Sequence, residues 1–259
     1  MSTEPLAELL TEMRGPVLWL TINREDKRNA VNQPVLAGLT EALANANRNR
    51  EVRAVVITGA GTRAFCAGAD LQSGKSFKFD YSEPYVGFAN LFRQAKKSTV
   101  PLIARVNGAC MAGGMGLLSM CDMAVAAEGA VFGLPEVKVG VFPAQVLSVL
   151  QHLIPRRKLV EMCITGEPIS SAQALAYGLV NYVDADVDVK LQWLLARLLD
   201  KSPAAVRRGL YTMKKMETMA FEESMAFTES QIALFTLTED AREGQAAFQE
   251  KRPPQWKGQ

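Results

Sequence analysis

Asn107-Gly108-Ala109-Cys110-Met111-Ala112-Gly113-Gly114-Met115-Gly116 is a glycine-rich stretch that leads into an apolar run ending at Cys121-Asp122. Its four glycines let the backbone come close to another group. Helix-forming residues follow at Leu117, Leu118 and Met120. The stretch therefore predicts a loop that opens a buried helix. Because the first N–H groups of a helix have no partner inside the helix, such a start can bind an anionic oxygen.

A second loop of the same character precedes this one. The segment Ala64-Phe65-Cys66-Ala67-Gly68-Ala69-Asp70-Leu71 follows the β-branched run at 54–59, which is typical of a strand buried on both faces. A lone glycine cluster is more often explained by close packing at a turn between a strand and a helix. Two such loops in this order, however, would be able to direct two N–H groups at one oxygen.

With the segments around them, the two loops resemble the crotonase superfamily, the family of enoyl-CoA hydratases and isomerases. The resemblance extends over nearly the whole chain. The matching segments are Ile22-Asn23-Arg24, Lys27-Arg28-Asn29-Ala30, residues 65–71 and 107–122, Phe132-Gly133-Leu134-Pro135-Glu136, residues 239–244, Phe248 and Glu250-Lys251-Arg252.

The resemblance implies an α/β fold, a crotonase-like spiral of ββα units over residues 1–200. A helical C-terminal oligomerisation region is expected at 201–259, where helix formers and repeated methionines begin after Ser202-Pro203. A methionine stripe of this kind is usually a packing surface rather than a cofactor site. The resemblance further implies that this region packs on neighbouring subunits in a homotrimer or a dimer of trimers. Upstream, Asn32 and Pro34 predict the start of an amphipathic helix.

Composition excludes several other classes of protein. The 259 residues carry a net charge of only +2, which gives no broad basic field for a nucleic acid. No apolar run approaches the roughly 20 residues of a membrane span, and the N-terminal sequence has no secretion signal, so we expect a cytoplasmic protein without a membrane partner. The four cysteines lack C-x-x-C spacing and His152 is the only histidine. Neither a metal site nor a catalytic triad is expected.

The resemblance assigns the oxyanion-binding groups to the backbone N–H groups of Ala69 and Gly113. Such donors stabilise the enolate formed from a conjugated thioester, and losing one typically costs about 10²–10³ in rate. Asp70, beside Ala69, has two readings at this point. It either caps a following helix or acts as a catalytic acid.

The proton-transfer residue implied by the resemblance is Glu136. From its position alone it would be a surface glutamate, but a carboxylate in an apolar pocket has the raised pKa that a proton shuttle needs. Hydratases of the family commonly use a second glutamate, and this sequence has Gly116 at that position. Ser119 is a possible second group.

Further possible second groups are Tyr81, Glu83 and Tyr85, in a segment at 72–86 that is expected to cover the substrate. The sequence assigns none of them.

Coenzyme A is expected as part of the substrate, with no permanently bound cofactor. The resemblance places Lys27 or Arg28 near a phosphate and the backbones of Ala30 and Ala67 near the adenine. It places Lys251, supplied by an adjoining subunit, on another phosphate. Charge alone would make the turn at 24–28 a solvated loop and Lys251 a solvated terminal lysine.

These expectations favour an enoyl-CoA hydratase of fatty acid metabolism that adds water to a 2-enoyl-CoA with one glutamate. A 3-enoyl to 2-enoyl-CoA isomerase is the alternative, since one base can take and return the same proton. Another enolate enzyme, such as a thioester hydrolase or a decarboxylase, and a non-catalytic acyl-CoA-binding relative also remain open. Residues 72–86 and 140–150 are expected to select the acyl group, whose length and branching the sequence leaves undetermined.

Overall fold

A computed structural model describes residues 7–70, 82 and 87–259 of the chain. The segment at 72–86, apart from Ser82, lies outside the described residues, and with it Tyr81, Glu83 and Tyr85. The strands are β1 (Leu9–Arg14), β2 (Val17–Ile22), β3 (Ala54–Gly59), β4 (Ala64–Cys66), β5 (Leu102–Val106), β6 (Ala109–Met111), β7 (Met123–Ala127), β8 (Val131–Gly133), β9 (Ile169–Ser170) and β10 (Tyr182–Asp184).

The α-helices alternate with these strands and then continue without them to the end of the chain. They are α1 (Gln33–Arg48), α2 (Gly87–Lys97), α3 (Gly113–Ser119), α4 (Ala144–Leu150), α5 (Arg156–Thr165), α6 (Ser171–Ala176), α7 (Val187–Leu199), α8 (Pro203–Met216), α9 (Phe221–Thr236) and α10 (Glu239–Glu250). Short 3₁₀ helices occur at Glu25–Lys27 and Pro135–Val139.

The described strands form two sheets. The larger has the order β1-β2-β3-β5-β7-β10, with β1 antiparallel to β2 and the other neighbours parallel. The smaller has the order β4-β6-β8-β9, in which β4, β6 and β8 are parallel and β9 is antiparallel. From β3 onward, each successive turn of the chain therefore adds one strand to each sheet.

This repeat confirms the predicted α/β class and its ββα units. β3 and β4 precede α2, β5 and β6 precede α3, and β7 and β8 precede α4. The two glycine-rich stretches were read from sequence as loops only, and this was incomplete because each carries a short strand, β4 or β6. A strand of three residues is too short to show an alternating apolar pattern.

The core lies on both faces of the large sheet. In β3, Val55 and Ile57 join a cluster formed with α1, α2, α3 and the small sheet. Ala54 and Val56 point the other way, into a cluster covered by α7. β3 is thus buried on both faces, as predicted. The start of α1 is also confirmed, since the Asn32 side chain accepts a hydrogen bond from the Val35 N–H at 3.1 Å.

The chain from α8 to α10 is helical and exposes large apolar side chains. Phe221, Ile232 and Phe248 are 73%, 66% and 86% exposed. Within the chain, α10 packs on α8 and α9. Division of the chain at residue 200, and contact of this region with neighbouring subunits, remain predictions.

One buried carboxylate ties the C-terminal tail to this helical region. Asp240 is 2% exposed and accepts hydrogen bonds from Ser202 Oγ at 2.6 Å and from the N–H groups of Ala204, Lys257 and Gly258 at 3.3, 2.8 and 3.0 Å. Burial acts to raise the pKa of Asp240, but these donors outweigh it and the pKa lies below its usual range. The ionised form is therefore the stabilising one.

We expect Asp240→Ala to lower the free energy of unfolding by about 1.5–3 kcal/mol, because buried donors lose a charged acceptor. Glu239→Ala is the matched control, since its ion pair with Lys257 is exposed and pairs of this kind contribute about 1 kcal/mol or less. Because the folded pKa of Asp240 is depressed, its contribution is present above the unfolded pKa and is lost as pH falls through the folded one. Urea unfolding of both variants measures the difference, and equal losses would contradict the assignment.

Candidate functional site

The small sheet brings three separate loops to one edge. Because β4, β6 and β8 are parallel, their carboxyl ends lie side by side. Ala69 follows β4, Gly113 follows β6, and Glu136 follows β8. The three predicted catalytic positions, far apart in sequence, are therefore at the same edge of one sheet.

The two glycine-rich loops touch at this edge. Gly68 has φ of +102°, and a Cβ added there would lie 2.8 Å from Ala112 Cβ and 3.2 Å from the Gly113 nitrogen. A Cβ on Gly114 would lie 2.3 Å from the Cys66 carbonyl oxygen. Side chains at these positions would push the loops apart. The glycines are needed here for close approach of the two backbones.

Two backbone N–H groups are available at this contact. Val31 bonds to both neighbours of Ala69, donating to the Gly68 oxygen at 2.8 Å and accepting from the Asp70 N–H at 2.9 Å. Among the described residues, the N–H of Ala69 itself has no backbone acceptor. Gly113 is the first residue of α3, so its N–H has no acceptor within the helix. Within the described ranges, neither N–H group therefore has a backbone acceptor.

The turn that presents Gly113 holds a non-glycine residue in a left-handed conformation. Ala112 has φ of +50° and ψ of −120°. Its N–H donates to the Gly133 carbonyl at 2.9 Å, which joins the end of β8 to the start of α3. Strain of this kind costs about 1–3 kcal/mol and persists only where surrounding structure enforces it.

Arg24 holds the other loop. Its guanidinium donates to Asp70 Oδ2 at 2.7 Å and to the Ala30 carbonyl at 2.5 Å, and pairs with Glu8 Oε1 at 2.8 Å. The side chains of Arg24 and Asp70 are only 11% and 12% exposed. Asp70 therefore anchors the Ala69 loop, a role that neither sequence reading proposed. The helix that it was expected to cap would begin outside the described residues.

Glu136 lies in the 3₁₀ helix at Pro135–Val139, which packs against α5. Its Oε2 atom is buried and has no hydrogen-bond partner among the described residues. Burial raises the pKa of Glu136, and a bond from its own backbone N–H only partly opposes that rise. On α5, the pKa of Cys163 is raised by burial and by the charge of Glu136, so the thiol lies near the carboxylate. This carboxyl can hold a proton more readily than a solvated glutamate can.

Apolar groups fill the position where a second carboxylate is usual. A Cβ on Gly116 would lie 2.5 Å from Phe92 Cζ and 3.3 Å from Val146 Cγ2. On the last turn of α3, Ser119 is buried and its Oγ has no partner among the described residues.

The residues expected near the nucleotide adjoin the same edge. Lys27 and Arg28 are exposed at the end of the first 3₁₀ helix, and the Ala67 N–H donates to the Arg28 carbonyl at 3.0 Å. Ala30 is buried beside them. Lys251 instead ends α10, where it has φ of +54°.

Within the described ranges, no group of three or more His, Cys, Asp or Glu side chains is placed to hold a metal ion. In the same part of the chain, no helix has the length and apolar character needed to cross a membrane.

Comparison with known proteins agrees with this arrangement. The family model for enoyl-CoA hydratase/isomerase matches residues 12–259. The chain belongs to the enoyl-CoA hydratase/isomerase family. It is 32% identical to the 2,3-dehydroadipyl-CoA hydratase of Escherichia coli, over 98% of this chain and 100% of that one. It is 34% identical to the carnitinyl-CoA dehydratase of Salmonella enteritidis, over 94% and 96% of the two chains.

A solved enoyl-CoA hydratase of Mycobacterium smegmatis superposes with a TM-score of 0.91 at 32% identity, covering 98% of this chain and 99% of that one. The predicted crotonase fold is therefore confirmed. The protein is an enzyme of the enoyl-CoA hydratase/isomerase type, and an acyl-CoA substrate is consistent with this family.

Two residues of this enoyl-CoA hydratase/isomerase site gained no role from sequence reasoning. Arg24 was part of a matching segment, but its partner Asp70 is distant in sequence. Phe92 lies on α2, and its contact with Gly116 depends on how α2 packs on α3. No local pattern indicates either contact.

We expect Gly68→Ala to lower turnover of an enoyl-CoA by about 10²–10³, because an alanine at positive φ would displace the Ala69 and Gly113 donors from each other. Gly209→Ala is the matched control. It lies in α8, where an added Cβ meets nothing within 4 Å. Steady-state kinetics, with circular dichroism to verify folding, makes the comparison. Full turnover by a correctly folded Gly68→Ala variant would show that catalysis does not depend on this contact between the loops.

Proposed function

We propose that this enzyme is an enoyl-CoA hydratase that adds water to a 2-enoyl-CoA, with Glu136 as its single catalytic carboxylate. The observation that carries the proposal is the buried Glu136 Oε2, which has no partner among the described residues and lies at the same sheet edge as two N–H groups that have no backbone acceptor there. A carboxylate left without a partner is costly unless a ligand or a proton occupies it. A substrate water would satisfy it.

The Ala69 and Gly113 N–H groups would bind the thioester oxygen. As water attacks the third carbon of the acyl chain, negative charge moves onto that oxygen and an enolate forms. Donors fixed in place before the reaction stabilise this charge without rearranging during it. Neither residue needs a functional side chain.

Glu136 would carry the proton in two steps. Its carboxylate removes a proton from the attacking water as the new carbon–oxygen bond forms. The resulting carboxylic acid then gives this proton to the second carbon as the enolate collapses, so that the whole water molecule is added and Glu136 is restored. A raised pKa suits both steps, because it brings the acid and base forms closer to balance at neutral pH.

Coenzyme A would lie along the turn that carries Lys27 and Arg28, with its adenine against the backbones of Ala30 and Ala67. We propose that Lys251 of an adjoining subunit contacts a phosphate, in a homotrimer or a dimer of trimers. The apolar side chains exposed on α9 and α10 support an assembly, because large apolar surfaces usually mark contacts. No cofactor besides the coenzyme A of the substrate is needed.

The names of the two relatives also support water chemistry, since one is a hydratase and the other a dehydratase. A second candidate is the isomerase that moves a 3-enoyl double bond to the 2-position. It is favoured by Phe92, which fills the position of a second carboxylate at Gly116. Isomerisation needs one base and no activated water.

We expect the wild-type enzyme to convert crotonyl-CoA into a product heavier by one water, as measured by mass spectrometry. Glu136→Gln should lower this turnover by about 10²–10⁴, because an amide cannot carry the proton. Wild-type kcat/KM should fall as pH drops through the raised pKa of Glu136, since the ionised form is the base. The same raised pKa makes ionisation destabilising above it, so Glu136→Gln should not lower the thermal midpoint at neutral pH.

The same experiment separates the alternatives. A product of unchanged mass from 3-enoyl-CoA alone would identify an isomerase, and release of free coenzyme A would identify a thioester hydrolase. Full activity in Glu136→Gln would show that another residue is the base.

We expect Lys251→Asn to weaken binding of an acyl-CoA by about 1–3 kcal/mol, through loss of a charge-assisted bond to phosphate. Asparagine is chosen because it tolerates the left-handed conformation at this position. Lys257→Asn is the control, an exposed lysine of the same tail. Calorimetry on the assembled protein measures both, and unchanged affinity in Lys251→Asn would move the phosphate site toward Lys27 and Arg28.

A further inference from the structure

A cavity of about 1230 Å³ lies between α2, α4, α8 and the C-terminal end of α3. Its described lining includes neither Glu136 nor the two N–H donors. The groups of the proposed mechanism therefore do not line this cavity, and the mechanism does not use it.

Phe92 connects the two spaces. Its ring touches Gly116 on α3, one turn after the Gly113 donor, and the same residue lines the cavity. Gly116 has no side chain, so the Phe92 ring lies directly between the α3 backbone and the cavity.

The wall of the cavity is suited to a chain that is mostly apolar. Ala89, Met120 and Val149 contribute apolar surface. Four of its charged groups are paired with each other, Lys214 with Asp122 at 2.8 Å and Lys96 with Glu217. Paired charges leave little net attraction for a strongly charged ligand.

Ser119 is one of the residues that line this cavity. Its side chain is 8% exposed, and its Oγ is buried with no partner among the described residues. A buried hydroxyl without a partner is unfavourable, which suggests that a bound ligand supplies one. Ser119 lies about 9 Å along the α3 axis from Gly113, given the rise of about 1.5 Å per residue. A thioester held at Gly113 therefore needs a chain of medium length to reach it.

We infer that the distal part of the acyl chain passes Phe92 into this cavity and presents an oxygen to the Ser119 hydroxyl. The substrate class is then a medium-chain acyl-CoA with a hydrogen-bond acceptor, such as a hydroxyl or carbonyl, near its far end. Phe92 sets the chain length that enters. This assignment of substrate rests on the proposed function.

The first test compares kcat/KM for crotonyl-, octenoyl- and dodecenoyl-CoA. In the wild type, octenoyl-CoA is turned over. Phe92→Ala raises the ratio of long-chain to crotonyl kcat/KM by about tenfold, and Ala144→Trp, which fills the cavity from α4, lowers it by a similar factor. Phe92→Leu shifts this ratio in the same direction, and it replaces Phe92→Ala in the test if the alanine variant does not fold. Ala196→Trp, on an exposed helical alanine outside this lining, leaves the ratio unchanged.

The outcomes separate this inference from the proposed function. Failure of the wild type on every enoyl-CoA would defeat the proposed function itself. Turnover of crotonyl-CoA with the ratio unmoved by the Phe92 and Ala144 variants would overturn the cavity assignment alone. A changed assembly size for Ala144→Trp in light scattering, with the ratio unmoved, would assign the cavity to a subunit contact and would also overturn it.

The second test concerns Ser119. Ser119→Ala lowers kcat/KM for an octenoyl-CoA that carries a terminal hydroxyl by about tenfold relative to unsubstituted octenoyl-CoA. Ser148→Ala is the matched control, a serine of the same cavity whose hydroxyl already bonds the Gln145 carbonyl at 2.7 Å. Equal effects of Ser119→Ala on both substrates would show that Ser119 does not contact the acyl chain of the substrate.

Discussion

The candidate site depends on the parallel pairing of three very short strands, β4, β6 and β8. Parallel neighbours end at the same edge of a sheet, so pairing these strands also places the loops that follow them side by side. Since each strand has three residues, it contributes few hydrogen bonds of its own. The large sheet and the apolar cluster that it shares with the small sheet must therefore hold the small sheet in register. The packing of the large sheet thus determines the geometry of the loops at the edge of the small sheet.

Two features keep the loops close together. Glycines lack side chains that would collide with the opposing backbone, and hydrogen bonds and an ion pair hold the loops in place. Gly68 and Gly114 leave room for the opposing backbone, and the strained Ala112 is tied to the end of β8. Arg24 bonds to Asp70 and to the Ala30 carbonyl, so the loop carrying Ala69 cannot move away freely. These restraints hold the two loops in fixed positions, and the proposed stabilisation of an enolate requires such fixed donors.

Two carboxylates in the chain, the buried Asp240 and the half-buried Glu136, illustrate how surroundings decide the behaviour of a group. Asp240 accepts hydrogen bonds from a hydroxyl and three N–H groups, and its pKa is lowered despite burial. Glu136 has a buried oxygen without a partner, and its pKa is raised. The first is a structural anion, stable only when ionised. The second is suited to exchange a proton, because burial favours its protonated form more than water does and so raises its pKa.

The sequence by itself determined the family, the α/β class, the buried strand β3 and the cap of α1, and it led to the proposal of Ala69, Gly113 and Glu136 as site residues. These follow from local patterns and from matching segments that keep their order along the chain. Only the tertiary structure revealed β4 and β6, the Arg24–Asp70 pair, the filling of the Gly116 position by Phe92, and the cavity behind that ring. Each of these depends on contacts between residues distant in sequence. Packing decides such contacts, and they cannot be inferred from a local pattern of residue types.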